Sequence, residues 1–341
     1  MTYIGIDISK STFTVAYPKE KGYTIREFKN TPMGVRSFMK TISQDEHQCI
    51  MEATGNYGVL LLYMLDKEGY KVSLINPLKT HNFAKAELFV TKTDAEDAKL
   101  LSQYGKEKQP PVYKMPSETI MLLKQKRTIL RQLKKQHTAL SNMQKSLEVL
   151  PVQDQASRQA LKKSVIFLEK QIAKLEGDMT NITKKEFNRQ LGLLTSIRGI
   201  NNTLASALIT ATGGFTYFQT AKQFSRYLGL CPTIIQSGLS VNVKGHINRN
   251  GDSYMRSQLF VVSMPAIRFN KACAELYTRL RTNGKSGKLA LIAVANKLIR
   301  QAFAVIKSGK PYVDGFVSTL PKLLPDSAKA STMAVATASS L

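Results

Sequence analysis

Apolar positions along the first ninety residues come in short blocks. "TYIGIDIS" (2–9), "TFTVAYP" (12–18) and "YTIREFKN" (23–30) are β-branched runs separated by "KS" and "KEKG". Three such runs joined by tight turns predict an antiparallel meander. "GVRSFMKTIS" (34–43) then has helical spacing. "QCIMEA" (48–53) reads as a buried strand, "GVLLLYMLDKEG" (58–69) as a helix ended by Gly69, and "YKVSLINP" (70–77) as another strand. The order β-β-β-α-β-α-β-α predicts an α/β sheet with mixed strand directions.

The rhythm changes at residue 117. Leu161, Val165, Leu168, Ile172, Leu175, Met179 and Ile182 alternate steps of four and three, which is a heptad seam. Ile120, Leu123, Leu130, Leu133, Leu140, Met143 and Leu147 keep the same period, interrupted by Arg127 and His137. "LPVQDQ" (150–155) breaks the pattern, so residues 117–187 predict two long helices folded back as an antiparallel coiled coil. From 191 to 322 the pattern is helical and punctuated by glycine. "LLTSIRGINNTLASALITATGG" has the layout of a helix-hairpin-helix, with Asn201 in place of the second hairpin glycine. Residues 323–341 are rich in Ala, Ser and Thr and are expected to be a disordered tail.

Charge separates these regions further. Of 341 residues, 49 are Lys or Arg and 24 Asp or Glu, a formal net charge of +25. Residues 1–116 are nearly balanced at +3, residues 117–190 carry +8 and residues 191–341 carry +14. A basic surface of that size suits a phosphate backbone. The runs "VLLLYML" (59–65) and "LALIAVA" (289–295) are too short to span a bilayer, and "MTYIGIDISK" has no signal-peptide pattern. Cys49, Cys231 and Cys273 are far apart and lack zinc spacing, which points to a reducing interior. The expected setting is therefore a cytoplasmic one in contact with nucleic acid, without a membrane partner.

Against that basic background "TKTDAEDAKLL" (91–101) is conspicuously acidic. Thr93 and Glu96 form a capping-box pattern, so a helix begins there with Asp94 and Asp97 on one face of its first turn. Acids favour helix N-termini for dipole reasons alone. Asp7 lies inside the first strand, however, and Glu52 closes the fourth strand. Carboxylates there are costly unless paired or metal-bound. One acid on the first strand, one on the fourth and two on a later helix is the layout of a two-metal nuclease fold of the RNase H type, able to hold Mg²⁺, or Mn²⁺, at a phosphodiester.

"YIGIDISKSTFTVAY", "CIMEATGNYG", "VSLINPLKTHNFAKA" and "KTDAEDAKLL" closely resemble the N-terminal domain of insertion sequence 110 family transposases. That family includes Piv-type DNA invertases and bridge-RNA-guided recombinases. The resemblance runs to about residue 320. It implies a RuvC-like catalytic domain over 1–110, with a DEDD tetrad on Asp7, Glu52, Asp94 and Asp97. "FSRYLGLCPTIIQSGLSVNVKGHINRNGDSYMRSQLFVVSMPAI" is similar to the family's transposase domain, here 191–322. There the Ser-Gly-x-Ser context "QSGLS" implies that Ser237 is the DNA nucleophile, attacking a phosphodiester to give a phosphoserine-linked end and a free 3′-hydroxyl. The resemblance further implies a non-coding bridge RNA that selects donor and target DNA, homodimers assembling into a homotetramer, and tetrad and serine supplied by different subunits. "INRNGDSYMR" departs from the pattern by carrying Asn where many members have Ser-Lys before the glycine.

Lys244, His246, Arg249 and Arg256 flank Ser237 in sequence, and Lys285, Lys288, Lys297 and Arg300 lie in "RTNGKSGKLALIAVANKLIR". All eight are candidate phosphate contacts. The alternative from the same acids is a RuvC-like junction-resolving nuclease that uses water as its nucleophile and does not need Ser237. A sugar-kinase reading of "GIDISKSTFTVA" lacks the phosphate-loop glycine, since Ser9 stands there. A non-catalytic RNA-binding protein leaves the acids in strands unexplained.

Overall fold

The structure, a computed structural model, describes residues 1–53, 55–89, 93–237, 241–247 and 251–315, with backbone alone for 232–237 and 241–246. The chain forms two compact units that divide after Pro116.

In the first unit the strands are β1 (Thr2–Ile8), β2 (Thr12–Pro18), β3 (Tyr23–Lys29), β4 (His47–Glu52) and β5 (Lys71–Ile75). The helices are α1 (Pro32–Met39), α2 (Val59–Lys67), α3 (Pro77–Ala86) and α4 (Asp94–Lys108). The sheet order is β3-β2-β1-β4-β5. β1, β2 and β3 pair antiparallel through their short turns, whereas β4 joins β1, and β5 joins β4, in parallel after helical crossovers. The mixed α/β sheet expected from the sequence is present. Side chains alternate between its faces. Ile4, Ile6, Cys49 and Met51 pack on one face with Val35 and Phe38 of α1 and Leu61 and Leu65 of α2. Ile50 and Ile75 pack on the other with Phe83 of α3 and Leu100, Leu101 and Tyr104 of α4. Two helical layers thus enclose the sheet.

The second unit opens with α5 (Glu118–Leu147) and α6 (Gln155–Thr195), followed by α7 (Asn202–Thr212) and α8 (Ala221–Tyr227). α5 and α6 run antiparallel, linked by Lys126–Asp178 at 2.9 Å, Lys134–Glu176 at 2.6 Å and His137–Glu169 at 3.1 Å. His137 interrupts the apolar seam because it faces Glu169 across the helix pair. α6 is kinked at Phe187, where the backbone leaves helical geometry at φ −129°. Near the base of the hairpin Ile120, Leu123, Leu130 and Met179 merge with Leu194, Ile197, Leu204 and Leu208 into one apolar core. Toward the tip, Met143, Val149, Val152 and Phe167 are exposed.

A purely helical region after 191 is not what the structure has. β6 (Pro232–Ser237) and β7 (Val241–Ile247) form an antiparallel ribbon between α8 and α9 (Ser253–Phe269). The physical reason is local: "PTIIQS" and "VNVKGHI" are β-branched runs opened by a proline that disfavours helix continuation. α10 (Lys271–Thr282) and α11 (Gly287–Ser308) complete the bundle. α11 is long and apolar enough to cross a membrane by length and composition, but Val294, Leu298, Ala302 and Val305 are buried in the core. The α6–α7 turn has Gly199 at φ +102°, tight against Ala266 of α9. Asn201, in the second hairpin-glycine position, caps α7 by accepting a hydrogen bond from the Leu204 amide at 2.9 Å. The expected tail at 323–341 lies outside the described residues.

Candidate active site

The first unit brings its four singled-out acids together, and two glycines explain how. Gly5 on β1 has no side chain because α4 lies directly on it: a Cβ there would collide with the Ala98 carbonyl oxygen and lie 2.5 Å from the Ser102 amide nitrogen. One step back, a Cβ at Gly105 of α4 would sit 2.8 Å from Cβ of Tyr3 and 2.6 Å from the Ile50 side chain. The Ser102 hydroxyl donates to the Tyr3 carbonyl at 2.6 Å. α4 therefore runs antiparallel to β1 in close contact. Two strand residues advance about 6.6 Å and four helix residues about 6 Å, so the elements stay in step. Continuing from the Gly5–Ala98 level carries β1 to Asp7 and α4 to Asp94.

Glu52 joins by sheet register. β1 and β4 pair in parallel with Gly5 opposite Ile50 and Ile6 opposite Met51. One residue further are Asp7 and Glu52, on the face that Ile50 shares with α4. The Thr80 hydroxyl of α3 donates to Glu52 Oε2 at 2.7 Å. Thr93 caps α4, accepting from the Glu96 amide at 3.2 Å, and the Glu96 carboxylate pairs with Lys99 at 2.6 Å. Glu96 is therefore charge-compensated within its own helix.

Electrostatics records the crowding. Burial, then the Asp97 and Asp94 carboxylates, push the Asp7 carboxyl up to about 6 from 3.8; Glu52 adds to the rise and the Ile8 amide opposes it. Four carboxylates with hard oxygen donors match Mg²⁺ or Mn²⁺ in chemistry and in charge. Their side chains are not closed on a common point: among the described residues, no group of three acid, histidine or cysteine side chains is placed to ligate a single ion.

In the second unit Ser237 is the last residue of β6, its backbone paired with Val241 of β7. The roots of this ribbon are held tightly. Gly251 has φ +155°, and a Cβ there would lie 2.6 Å from the Tyr227 carbonyl oxygen. The Arg256 guanidinium, a candidate phosphate contact, donates to the Leu228 carbonyl at 2.7 Å. Asp252 caps α9 through the Met255 amide at 3.0 Å and pairs with Arg127 of α5. That pairing accounts for Arg127, the other interruption of the seam. Lys244 and His246 belong to β7, and Arg249 lies outside the described residues. Lys285 precedes α11 and Lys288 lies in its first turn, both exposed. Lys297 and Arg300 line a groove of about 580 Å³ between α10 and α11, with Arg279 and Glu275 on the opposite side. Arg279 and Thr80 escaped the sequence reading; for Arg279 the only signal was "TRLR" inside an amphipathic helix.

An α/β sheet with four converging carboxylates, followed by a strongly basic helical unit, defines a class: a phosphodiester-processing enzyme of nucleic acids. Comparison with known proteins narrows it. Residues 4–149 match a transposase family model named for the DEDD motif of IS110, and residues 191–278 match the model for transposases of the IS116/IS110/IS902 family. The chain is 33% identical over 324 residues to the pilin gene-inverting protein of Moraxella bovis, covering 91% of this chain and 97% of that protein. The corresponding protein of Moraxella lacunata is equally similar. An insertion element IS110 protein of 43.6 kDa from Streptomyces coelicolor is 31% identical over 120 residues, 35% of this chain and 29% of that one. The chain belongs to the IS110 family of transposases, and it is an enzyme that cleaves and rejoins DNA.

Proposed function

We propose that this chain is a site-specific DNA recombinase that works through a covalent serine–DNA intermediate, with the first unit supplying a RuvC-like acidic centre. The observation that carries the reading is the convergence of Asp7, Glu52, Asp94 and Asp97 at one end of the sheet, where burial, and after it the neighbouring carboxylates, push Asp7 up to about 6. A fold that sets three carboxylates around a buried fourth one suits a cation-dependent task. These four would hold Mg²⁺ or Mn²⁺. Bound there, the ion supplies Lewis-acid stabilisation of charge on the phosphodiester oxygens.

The chain's own nucleophile is Ser237. Its Oγ forms a bond to phosphorus as the bond to the 3′-oxygen breaks. The serine proton leaves and the 3′-oxygen takes one up, giving a phosphoserine-linked 5′ end and a free 3′-hydroxyl. The phosphodiester bond energy is kept, so a different 3′-hydroxyl reverses the step without ATP. The position of Ser237 at the end of a ribbon whose roots are pinned by Gly251, Asp252 and Arg256 supports this role. Lys285, Lys288, Lys297 and Arg300 contact phosphates, as do Lys244, His246, Arg249 and Arg256 around the serine. Donor and target DNA are selected by a bridge RNA, consistent with a surplus of positive charge far beyond what one duplex contact needs. The helical hairpin acts as a coiled coil that pairs subunits into dimers and then a tetramer.

The test is covalent trapping. Protein with co-purifying RNA, labelled donor and target DNA and Mg²⁺ are quenched in denaturant and resolved on a denaturing gel. A protein–DNA adduct is expected in wild type and absent in Ser237→Ala and Asp94→Ala. Free cleaved ends that persist in Ser237→Ala but vanish in Asp94→Ala would instead mean hydrolysis by water.

A further inference from the structure

The motif "NPLKTHNFAKA" is not used by any of the chemistry above, yet it places one side chain against the acidic centre. Asn76 caps α3 by accepting from the Leu78 amide at 2.9 Å, and Pro77 starts the helix. This fixes Thr80 one turn in. Its side chain is 3% exposed, buried beneath the end of β4. The hydroxyl has one proton and two acceptors within reach, the Pro77 carbonyl at 2.9 Å and Glu52 Oε2 at 2.7 Å. The Pro77 carbonyl alone would satisfy a helical threonine. An ionised carboxylate is the stronger acceptor, because charge-assisted hydrogen bonds are roughly twice as strong as neutral ones.

Glu52 also sits where its orientation is otherwise loosely determined. It is the last residue of its strand, and the main chain beyond it is held by the Ala53 amide donating to the Ile75 carbonyl at 2.9 Å. That bond anchors backbone and leaves the carboxylate free to rotate about its own side-chain torsions. A hydrogen bond to Oε2 removes that freedom and leaves Oε1 as the oxygen available to a cation. Asp7, by contrast, lies inside its strand, and Asp94 and Asp97 lie in the first turn of a capped helix.

We infer that Thr80 is a positioning residue for the acidic centre: its hydroxyl holds Glu52 Oε2 so that the remaining carboxylate oxygen is presented to a divalent cation. The inference rests on the reading of Glu52 as a cation ligand. Partners that orient a ligating carboxylate contribute about 10-fold to 100-fold in metal affinity.

The experiment measures Mn²⁺ binding to the full chain, by loss of the free-ion electron paramagnetic resonance signal, for wild type, Thr80→Val, Thr80→Ser and Glu52→Gln. Thr80→Val is close to isosteric and deletes the donor. It is expected to bind Mn²⁺ about 10-fold more weakly, with Thr80→Ser returning to within about 2-fold of wild type. Melting temperatures without metal are measured on the same samples. A merely structural threonine would lower the melting temperature of Thr80→Val and leave Mn²⁺ affinity unchanged in the folded protein. That result, or wild-type affinity in Thr80→Val while Glu52→Gln is defective, overturns the inference. Wild-type affinity in Glu52→Gln overturns the cation-ligand reading itself. Should Thr80→Val not fold, Thr80→Ala is measured in its place and the Thr80→Ser comparison still decides whether a hydroxyl is required.

Discussion

Gly5 of β1 and Ala98 of α4 touch backbone to backbone, with no room between them for a methyl group. This contact sets how closely the helix carrying Asp94 and Asp97 approaches the strand carrying Asp7. Gly5→Ala must move backbone, since neither the Ala98 carbonyl nor the Ser102 amide is the end of a flexible side chain. The expected loss is about 3 kcal/mol in the stability of the first unit, at the upper end for overpacking. Urea denaturation of the variant against wild type measures it. DNA cleavage should fall further than stability does, because withdrawing α4 separates the acids.

Asp7 gives a pH dependence of definite sign. Its folded pKa of about 6 lies above its ordinary 3.8. Between these values the folded protein binds more protons than the unfolded chain, so stability falls as pH rises from about 4 to about 6 and is level beyond. Asp7→Asn removes this fall. Without divalent metal the variant should therefore melt higher than wild type at pH 8, with the difference shrinking toward pH 4. It should also be inactive in DNA cleavage. A gain in stability with loss of activity marks a site kept for function. Equal melting temperatures at both pH values would remove the electrostatic account of the cluster.

The hairpin tip offers a test of assembly. Val149 and Val152 are more than four-fifths exposed and Phe167 is 60% exposed. Val149 and Val152 lie at the tip and Phe167 about three turns along α6, and exposed apolar groups of this size on a long hairpin mark an interaction surface. Phe167→Glu should lower the molar mass measured by light scattering to that of a smaller assembly, with the melting temperature of the core unchanged.

The sequence carried some of this plainly. The order of elements along the first unit followed from short β-branched runs, and Asp7 and Glu52 stood out because strand interiors resist unpaired charge. The helix start at Thr93 was legible because capping is local chemistry. What could not be read depends on contacts between distant segments. Gly5 and Gly105 look like ordinary glycines until α4 is laid across β1. Thr80 looks like a helical threonine until its hydroxyl meets Glu52, 28 residues away. The β6–β7 ribbon was missed for another reason. Its β-branched alternation is short and flanked by strong helices, whose period dominated the reading.

Arg127 and Asp252 provide the last prediction. Arg127 breaks the apolar seam of α5 and pairs with Asp252, whose other oxygen caps α9 at 3.0 Å. The side chains are only 17% and 20% exposed. Burial alone would raise the Asp252 carboxyl. The Arg127 guanidinium, the Met255 amide and Arg131 outweigh it and hold the group below its ordinary value of 3.8. The contribution of the pair is therefore present above that pH and is lost as pH falls through the lower folded value. Removing one member of a buried pair leaves the other uncompensated, so Arg127→Ala should cost about 3 kcal/mol at pH 7. Asp252→Asn keeps a good cap and loses the ion pair; Asp252→Ala loses both and should be worse by about 1 kcal/mol. In the double variant Arg127→Ala/Asp252→Ala the losses should fall short of additive by about 1–3 kcal/mol, because the two share one interaction. Strict additivity in urea denaturation would show that the pair contributes nothing. Because Asp252 stands at the root of the ribbon that ends in Ser237, Arg127→Ala should also slow DNA cleavage, read on the proposed route as slower formation of a serine–DNA adduct, at a pH where the protein remains folded.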